Sequence, residues 1–510
     1  MKIERTKNAA RNIIFGMLEK VFSFLFPFIS RTVFIYYLGI EYLGLNSLFT
    51  SVLGVLSVAE LGIGNAMVFH MYRAIANDDT RVMCALLNFY KKCYRVIGII
   101  MLLIGTVIMP FLHLLVKDEV PVDINLYIIY YINLISTVST YFLYSYKSSL
   151  MTAFQRNDIL SKINSILSII QCVLQIGVLV IFHNYYFYVV ITVIINIIRN
   201  LMIAKKATKD YPQYEPKGKL EKELLKDIKT KVSALFVYRV GNVVSNSVDT
   251  IVISTFLGLS ILGIYNNYWY VITTLTSFLQ IYYSSISAGI GNSISTESIE
   301  KNYKDYSILL FIQAWLVGWS SICLLCLYQP FMQIWMGTAR MLSFEMVICM
   351  TLFFYYWKIQ DIVYIYKEAA GLWQYDKYAS IVGTIFNLCL NIFLVQKIGI
   401  YGIVLSTILM NLFITIPWGT RALYKFYFKM SAVCYYQEII KYSVSTVIGG
   451  LITYGLCSFI KGETILILVL CALMCIVVPN IVFWIIYRNS ELYKETKKFL
   501  LQKFKQIREK

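Results

Sequence analysis

Charge is scarce in this chain. Asp, Glu, Lys and Arg make up 15% of its 510 residues, where a soluble globular domain carries about 25%. Proline is rare too, with eight residues, which excludes collagen-like and proline-rich disordered classes. Only three histidines occur (His70, His113, His183), near the ends of apolar runs and without ligand-like spacing. The phosphate-cradling pattern GxxxxGKS or GxxxxGKT is missing, and with it the usual signature of an intrinsic ATPase. No metal-ligand constellation replaces it. The eleven cysteines are scattered through apolar runs, and Cys323-Leu-Leu-Cys326 has no neighbouring His or acid, so these thiols are read as packing.

What is abundant is apolar surface, at 58% of residues. A single soluble core of this size could not bury it all. Apolar runs of about 20 residues recur along the whole chain, and in lipid such runs form helices because every backbone group must be paired within the segment. The expectation is an all-α polytopic membrane protein. Fourteen spans are read: 12–38, 46–70, 95–116, 125–147, 159–182, 185–204, 232–258, 261–288, 306–329, 343–367, 378–396, 400–424, 437–460 and 463–487. The fourth and tenth are interrupted by polar groups. The first is too long for a cleavable signal peptide and holds Glu19 and Lys20.

A net charge of +18 invites a nucleic-acid reading, but the placement of the basic residues argues against one. With the N-terminus inside, only Lys117, Arg340, Lys397 and Lys461 fall on outer loops, and only Lys20, Arg31, Arg239 and Lys358 fall deep in spans. The remaining Lys and Arg collect on one side, as the positive-inside rule requires. Both termini are therefore expected in the cytoplasm, with no nucleic-acid partner. Residues 205–231 read as a charged cytoplasmic linker. The tail 488–510 spaces Leu492, Phe499, Leu500, Phe504 and Ile507 helically among lysines, which suits an amphipathic helix on anionic lipid.

The chain also repeats itself. TVFIYYLGIEYLGLNSLF from Thr32 matches TIVISTFLGLSILGIYNNYW from Thr250, aligning Leu38-Gly39 and Leu43-Gly44 with Leu257-Gly258 and Leu262-Gly263 at an offset of 219. A second match at an offset of 215 aligns Ser165 with Ser380 and Asn196 with Asn411. Both copies enter the membrane from the same side, so the repeat is parallel and resembles those of transporters. The expected organisation is six helices over 1–204, the linker 205–231, six helices over 232–429, two more over 430–487, and the tail.

Eight ionisable residues fall well inside spans: Glu19, Lys20, Arg31, Glu60, Arg239, Asp249, Lys358 and Asp361. Each costs about 2.5–3.5 kcal/mol at a helix centre if it faces lipid. They must therefore face one another or water. Lys20 and Arg31, eleven residues apart, share a face, and Arg239, Asn242, Asn246 and Asp249 form one stripe. The larger offset maps Lys20 onto Arg239 and brings Arg31 within one residue of Asp249. On a 1.5 Å rise, Lys20, Glu60, Arg239 and Lys358 lie within roughly 10–15 Å of the inner boundary. Two internal pairs, Lys20–Glu60 and Arg31–Asp249, are the alternative reading of these charges, and Lys358 with Asp361 is either a local pair or a proton site. Tyr265, Tyr268, Trp269 and Tyr270, beside Asn266 and Asn267, form an aromatic cluster suited to sugar stacking, although interfacial belts account for most tyrosines in such chains.

The segment Arg11–Asp79 resembles the N-terminus of bacterial polysaccharide transporters, lipid-linked-oligosaccharide flippases of the MOP superfamily. The likeness is carried by Arg31, the LGIEYLGL turn at Leu38–Leu45, the AELGIG stretch at Ala59–Gly64, and Tyr72-Arg73. It implies a V-shaped, MATE-like transporter in the bacterial cytoplasmic membrane, with two extra C-terminal helices. The implied cargo is an undecaprenyl-diphosphate-linked oligosaccharide moved outward for capsule, O-antigen or teichuronic-type polymers, with contacts to the biosynthetic machinery.

On that reading Lys20, Arg31, Arg239 and Lys358 bind the diphosphate, while Glu19, Glu60, Asp249 and Asp361 are acidic cavity or coupling groups for Na+ or H+. Asn242, Asn246, Asn266, Tyr268 and Trp269 are then sugar contacts, and no cofactor or catalysis is expected. A MATE-type cation-coupled drug exporter is the alternative; it favours acidic pockets. A membrane polymerase is a further alternative, but outer loops this short leave no room for an external domain. Reporter fusions test the topology: a fusion at Lys219 is expected to read cytoplasmic and one at Glu463 external, and an external reading at Lys219 breaks the six-plus-six scheme.

Overall fold

The computed structural model describes the backbone of residues 5–60, 63–117, 120–376, 378–460 and 464–508. Side chains are described for the same residues except 5–14, 17, 58, 59, 65, 230, 231, 233–246, 288, 373 and 503–508. All regular structure among the described residues is helical. Two compact units divide the chain, Met1–Gly263 and Ile264–Lys510.

Unit 1 contains α1 (Arg5–Tyr37), α2 (Ile40–Leu56), a 3-10 turn (Ser57–Glu60), α3 (Ile63–Ala76) and α4 (Thr80–Ile108). It continues with α5 (Leu126–Phe142), α6 (Tyr146–Ala153), α7 (Asn157–Phe182), α8 (Tyr185–Asp210) and α9 (Lys222–Leu257). The first turn of α10 (Leu259–Thr296) also belongs to it. In unit 2 the rest of α10 is followed by α11 (Ile299–Met336), α12 (Phe344–Ile359), α13 (Asp361–Ala369), α14 (Ala379–Ile398), α15 (Ile400–Met410) and α16 (Ile416–Leu423). Last come α17 (Val433–Ser458), α18 (Thr464–Tyr487) and α19 (Glu491–Arg508).

Among the described residues nine helices are long and apolar enough to cross a membrane, and α5 with α6, bent by 50°, makes a tenth. Every one of the fourteen apolar stretches coincides with a helix or an interrupted helix pair. Both stretches interrupted by polar groups are broken, and so is the second, where α2 gives way to α3 through the 3-10 turn at Ser57–Glu60. α5 gives way to α6 beyond Phe142, and α12 to α13 at Gln360. Helix starts follow ordinary capping chemistry. Asp79 accepts from the Val82 N–H at 2.9 Å, Asn125 from Tyr127 at 3.0 Å, and Ser298 from Lys301 at 3.2 Å.

Packing within each unit is pairwise. In unit 1, α1 lies on α7, α7 on α8, α4 on α5, α5 on α8 and α2 on α9. In unit 2, α11 is the common partner of α12, α17 and α18, while α14 pairs with α15. The last pair is joined by a buried polar zipper. Asn387 donates to Thr407 at 3.0 Å, Asn391 donates to Asn387 at 3.1 Å, and the Ser406 hydroxyl donates to Asn391. Such side-chain bonds are the usual glue between helices in lipid, where apolar contact alone gives no preference for a neighbouring helix.

The larger-offset repeat has a physical basis in unit 1. Gly39 and Gly258 stand at φ 112° and 95°, a region open to glycine and strained for other residues, and each breaks one long helix into the next. Gly44 and Gly263 then bring two backbones together. A Cβ on Gly44 would lie 2.1 Å from the Leu259 carbonyl oxygen, and one on Gly263 2.3 Å from that of Ile40. Each copy's second glycine thus receives the first turn of the other copy. Across the same contact the Ser260 hydroxyl donates to Glu41 at 2.5 Å. Gly44→Val or Gly263→Val is therefore expected to destabilise the protein by about 1–3 kcal/mol or more, read as a lower melting temperature in detergent. Gly177→Ala, whose new methyl would meet no atom within 4 Å, is expected to leave it unchanged.

Candidate functional site

Ionisable groups at membrane depth are the chemistry this chain carries, and the two units treat them differently. On α1, Glu19 and Lys20 are successive residues and so point about 100° apart. Glu19 turns toward α7 and accepts from the Asn164 amide at 2.8 Å. Its charge also acts on Arg199 of α8, whose guanidinium donates to Asn196 at 2.8 Å. Lys20, about 100° further round the helix, is exposed. Among the described residues its ammonium has no ion-pair partner.

Glu60 ends the 3-10 turn between α2 and α3. Its carboxylate accepts from the hydroxyls of Tyr94 on α4 and Tyr141 on α5, the latter at 2.8 Å, and Tyr90 donates to Tyr94 at 2.7 Å. The alternative Lys20–Glu60 pair is not formed: tyrosine hydroxyls from two other helices hold that carboxylate. Arg31 is half-buried and acts on the Tyr188 hydroxyl of α8, and Asp249 is half-buried on α9. Arg239, Asn242 and Asn246 are carried by α9, but their side chains lie outside the described residues.

In unit 2 an ionisable pair is buried at the break between α12 and α13. The Lys358 ammonium is buried, 3.0 Å from Asp361, and sits over the Trp357 ring at 3.8 Å. Tyr283 bonds to the same carboxylate. Gln313 of α11 completes the group, donating to the Lys358 carbonyl at 2.7 Å and to the Tyr283 hydroxyl at 2.5 Å. Asp361 opens α13, where a carboxylate also favours the helix N-terminus. Lys358 with Asp361 is thus a local pair at the break between α12 and α13.

A second buried pair joins Lys367 to Asp376, with the Lys367 ammonium over the Tyr364 ring at 4.2 Å. Sequence reasoning missed that pair, which straddles the end of the tenth apolar stretch. Arg199 was missed for the same reason: it sits near a span end, where snorkelling is the default reading.

The aromatic cluster divides as well. Tyr268 is fully buried, donates to Gln329 at 3.1 Å and accepts from the Leu342 N–H at 3.1 Å. A sugar cannot reach it in this structure. Trp269 is half-buried and stacks between Tyr265 and Trp357, with ring centroids 6.0 and 6.1 Å away. Asn266 beside it is half-buried, whereas Asn267 is completely buried.

Residues 9–288, more than half of the chain, match a family described as polysaccharide biosynthesis protein. No curated protein sequence matches the chain. Among solved structures it is similar to the lipid II flippase MurJ in an inward closed conformation, with a TM-score of 0.67 at 15% identity, covering 94% of this chain and 99% of that one. An inward-facing multidrug resistance MATE family transporter of the MOP superfamily aligns with a TM-score of 0.62 at 13% identity, over 81% of this chain and 97% of its own. A MOP superfamily transporter from Pyrococcus furiosus, for which a reversed polarity of the binding pocket suggests a different function, aligns with a TM-score of 0.54 at 14% identity, over 83% and 97%. The fold is that of a MATE-like membrane transporter.

Removing one member of a buried pair leaves the other charge without compensation. Asp361→Ala is expected to destabilise unit 2 by about 3–5 kcal/mol, seen as a lower thermal midpoint in detergent. Adding Lys358→Met to that variant is expected to restore most of the loss, since no charge then remains buried.

Proposed function

The chain belongs to the polysaccharide biosynthesis protein family, and we propose that it moves an undecaprenyl-diphosphate-linked oligosaccharide across the bacterial cytoplasmic membrane by alternating access. The polar headgroup crosses through the protein while the polyprenyl tail stays in lipid. In this reading both termini and the lysine-rich connections are cytoplasmic, and the repeat unit joins capsule, O-antigen or teichuronic-type polymers outside. The chain acts as a transporter rather than an enzyme.

Lys20 is the observation that carries the reading. It is a cation on a membrane-depth helix, exposed, and without an acidic partner among the described residues. An apolar helix retains such a group at a cost of about 2.5–3.5 kcal/mol unless an anion meets it. A diphosphate is such an anion, accepting charge-assisted hydrogen bonds from lysine and arginine. Arg31 lies on the same face of α1, and Arg239 occupies the equivalent position in the second repeat. Asn266 and Trp269, the accessible part of the aromatic cluster, are the proposed sugar contacts. Glu60 is the proposed coupling group for H+ or Na+, because among the described residues hydroxyls rather than a cation hold it. A drug exporter for organic cations explains the shared fold equally well but assigns no task to Lys20.

Binding of undecaprenyl diphosphate to the purified protein tests this. A hydrogen bond to a charged group contributes about 1.5–3 kcal/mol, so Lys20→Ala is expected to weaken binding about ten- to a hundredfold and to abolish surface polymer in cells. Lys20→Arg keeps the charge and is expected to keep both. A Lys20→Ala, Glu60→Ala double variant is expected to remain defective. Unchanged binding by Lys20→Ala, or normal transport by the double variant, overturns the role given to Lys20.

A further inference from the structure

Five of the eleven cysteines meet at one place in unit 2. Cys323 and Cys326 come from α11, Cys457 from the last turn of α17, and Cys471 and Cys475 from α18. The three helices pack against one another, so the thiols converge from three directions. The Sγ atoms of Cys326, Cys457 and Cys475 lie within 4.8 Å of one another. All three residues are at most 7% exposed. Hydrogen bonds join Cys475 to Cys323 and Cys326, and Cys457 to Cys471. Ile322, Phe483 and Trp319 enclose the group, and the Trp319 indole N–H donates to the Cys475 carbonyl at 2.7 Å, pinning the backbone of α18 there.

Packing accounts for a buried cysteine as a small apolar side chain. It gives no reason for thiols from three helices to point at one another, since valine or alanine would fill the same space. We propose that Cys326, Cys457 and Cys475 form an all-sulfur site for a soft, thiophilic monovalent cation of the Cu(I) class, with Cys323 and Cys471 in reserve around it. Sulfur ligands select soft ions, while Mg2+ and Ca2+ require oxygen. Size agrees. Three sulfurs held at about 2.3 Å from one ion stand about 4.0 Å apart, so the site closes with contractions of about 0.8 Å at most. Zn2+ in structural sites takes four ligands in a tetrahedron, and only three sulfurs here are mutually close.

Charge balance points the same way. In binding, one thiol loses its proton to solvent and becomes a thiolate, while two thiols coordinate as neutral sulfurs. The product is neutral: one cation, one thiolate, one proton released and no electron moved. Neutrality matters in an apolar core, where net charge is costly. The bound ion would tie α18 and α17 to α11. This inference does not depend on the cargo proposed above.

The test uses the full-length, reduced protein in detergent under anaerobic conditions, with Cys84, Cys93, Cys172, Cys349, Cys389 and Cys434 replaced by alanine. Cu(I) is offered as a complex with a chromogenic Cu(I) chelator. One Cu(I) per chain is expected to leave the chelator, with an X-ray absorption signature of sulfur neighbours only and no displacement by excess Zn2+. Cys475→Ser is expected to lower retention at least a hundredfold. Cys457→Ser, in the final turn of α17, gives the same readout if Cys475→Ser fails to fold. Lack of uptake by the folded protein overturns the site, as does uptake indifferent to both substitutions. Displacement by Zn2+ overturns the assigned class of ion.

Discussion

Lipid offers no hydrogen bonds, so a polar group at membrane depth must find its partner inside the protein or wait for one to arrive. Most of this molecule follows from that constraint. Glu19 is met by Asn164, Glu60 by Tyr94 and Tyr141, Asp361 by Lys358 and Tyr283, and Lys367 by Asp376. The asparagines of α14 are satisfied by Ser406 and Thr407 of α15. Each of these links fixes the rotation of one helix against another, which apolar contacts alone do poorly. Lys20, exposed and without an ion-pair partner among the described residues, departs from the pattern, and under the proposed function an external anion supplies what the fold does not.

The same constraint explains where the chain is allowed to break. Helix ends release backbone groups, so a span is interrupted only where local chemistry absorbs them. Gly39 and Gly258 turn the chain at equivalent points of the two repeats. Gly44 and Gly263 then let the first turns of α2 and α10 approach until backbone meets backbone. The repeated leucine–glycine pairs are therefore a packing device used twice. Their persistence in both copies reflects a contact that tolerates no Cβ.

Much of the fold was legible because its signal is local. Run length marks the spans, and the polar interruptions of the fourth and tenth stretches mark two of the broken helices, whereas the break at Ser57–Glu60 in the second stretch carried no such mark. Partner choice was not legible. Lys20 and Glu60 lie at similar depth, which made them a plausible pair, but the rotation of α4 and α5 brings tyrosine hydroxyls to Glu60 instead. Lys358 has the depth of a substrate ligand, yet the turn at Gln360 folds Asp361 back onto it. Tyr268 has the composition of a sugar contact but lies in the interior of unit 2, bonded to Gln329 and the Leu342 backbone. The cysteines look scattered along the chain because their convergence exists only once α11, α17 and α18 are packed.

On the proposed function this MATE-like fold carries an anionic, lipid-linked glycan rather than an organic cation. Reconstitution into sealed proteoliposomes loaded with a short undecaprenyl-diphosphate-linked oligosaccharide tests it most directly, with the exposed sugar in each leaflet counted by a membrane-impermeant lectin or glycosidase. Protein-dependent transfer of the sugar between leaflets, lost with Lys20→Ala, is expected, with no uptake of organic cations by the same vesicles. Cation uptake without movement of the lipid-linked sugar would contradict the proposed function.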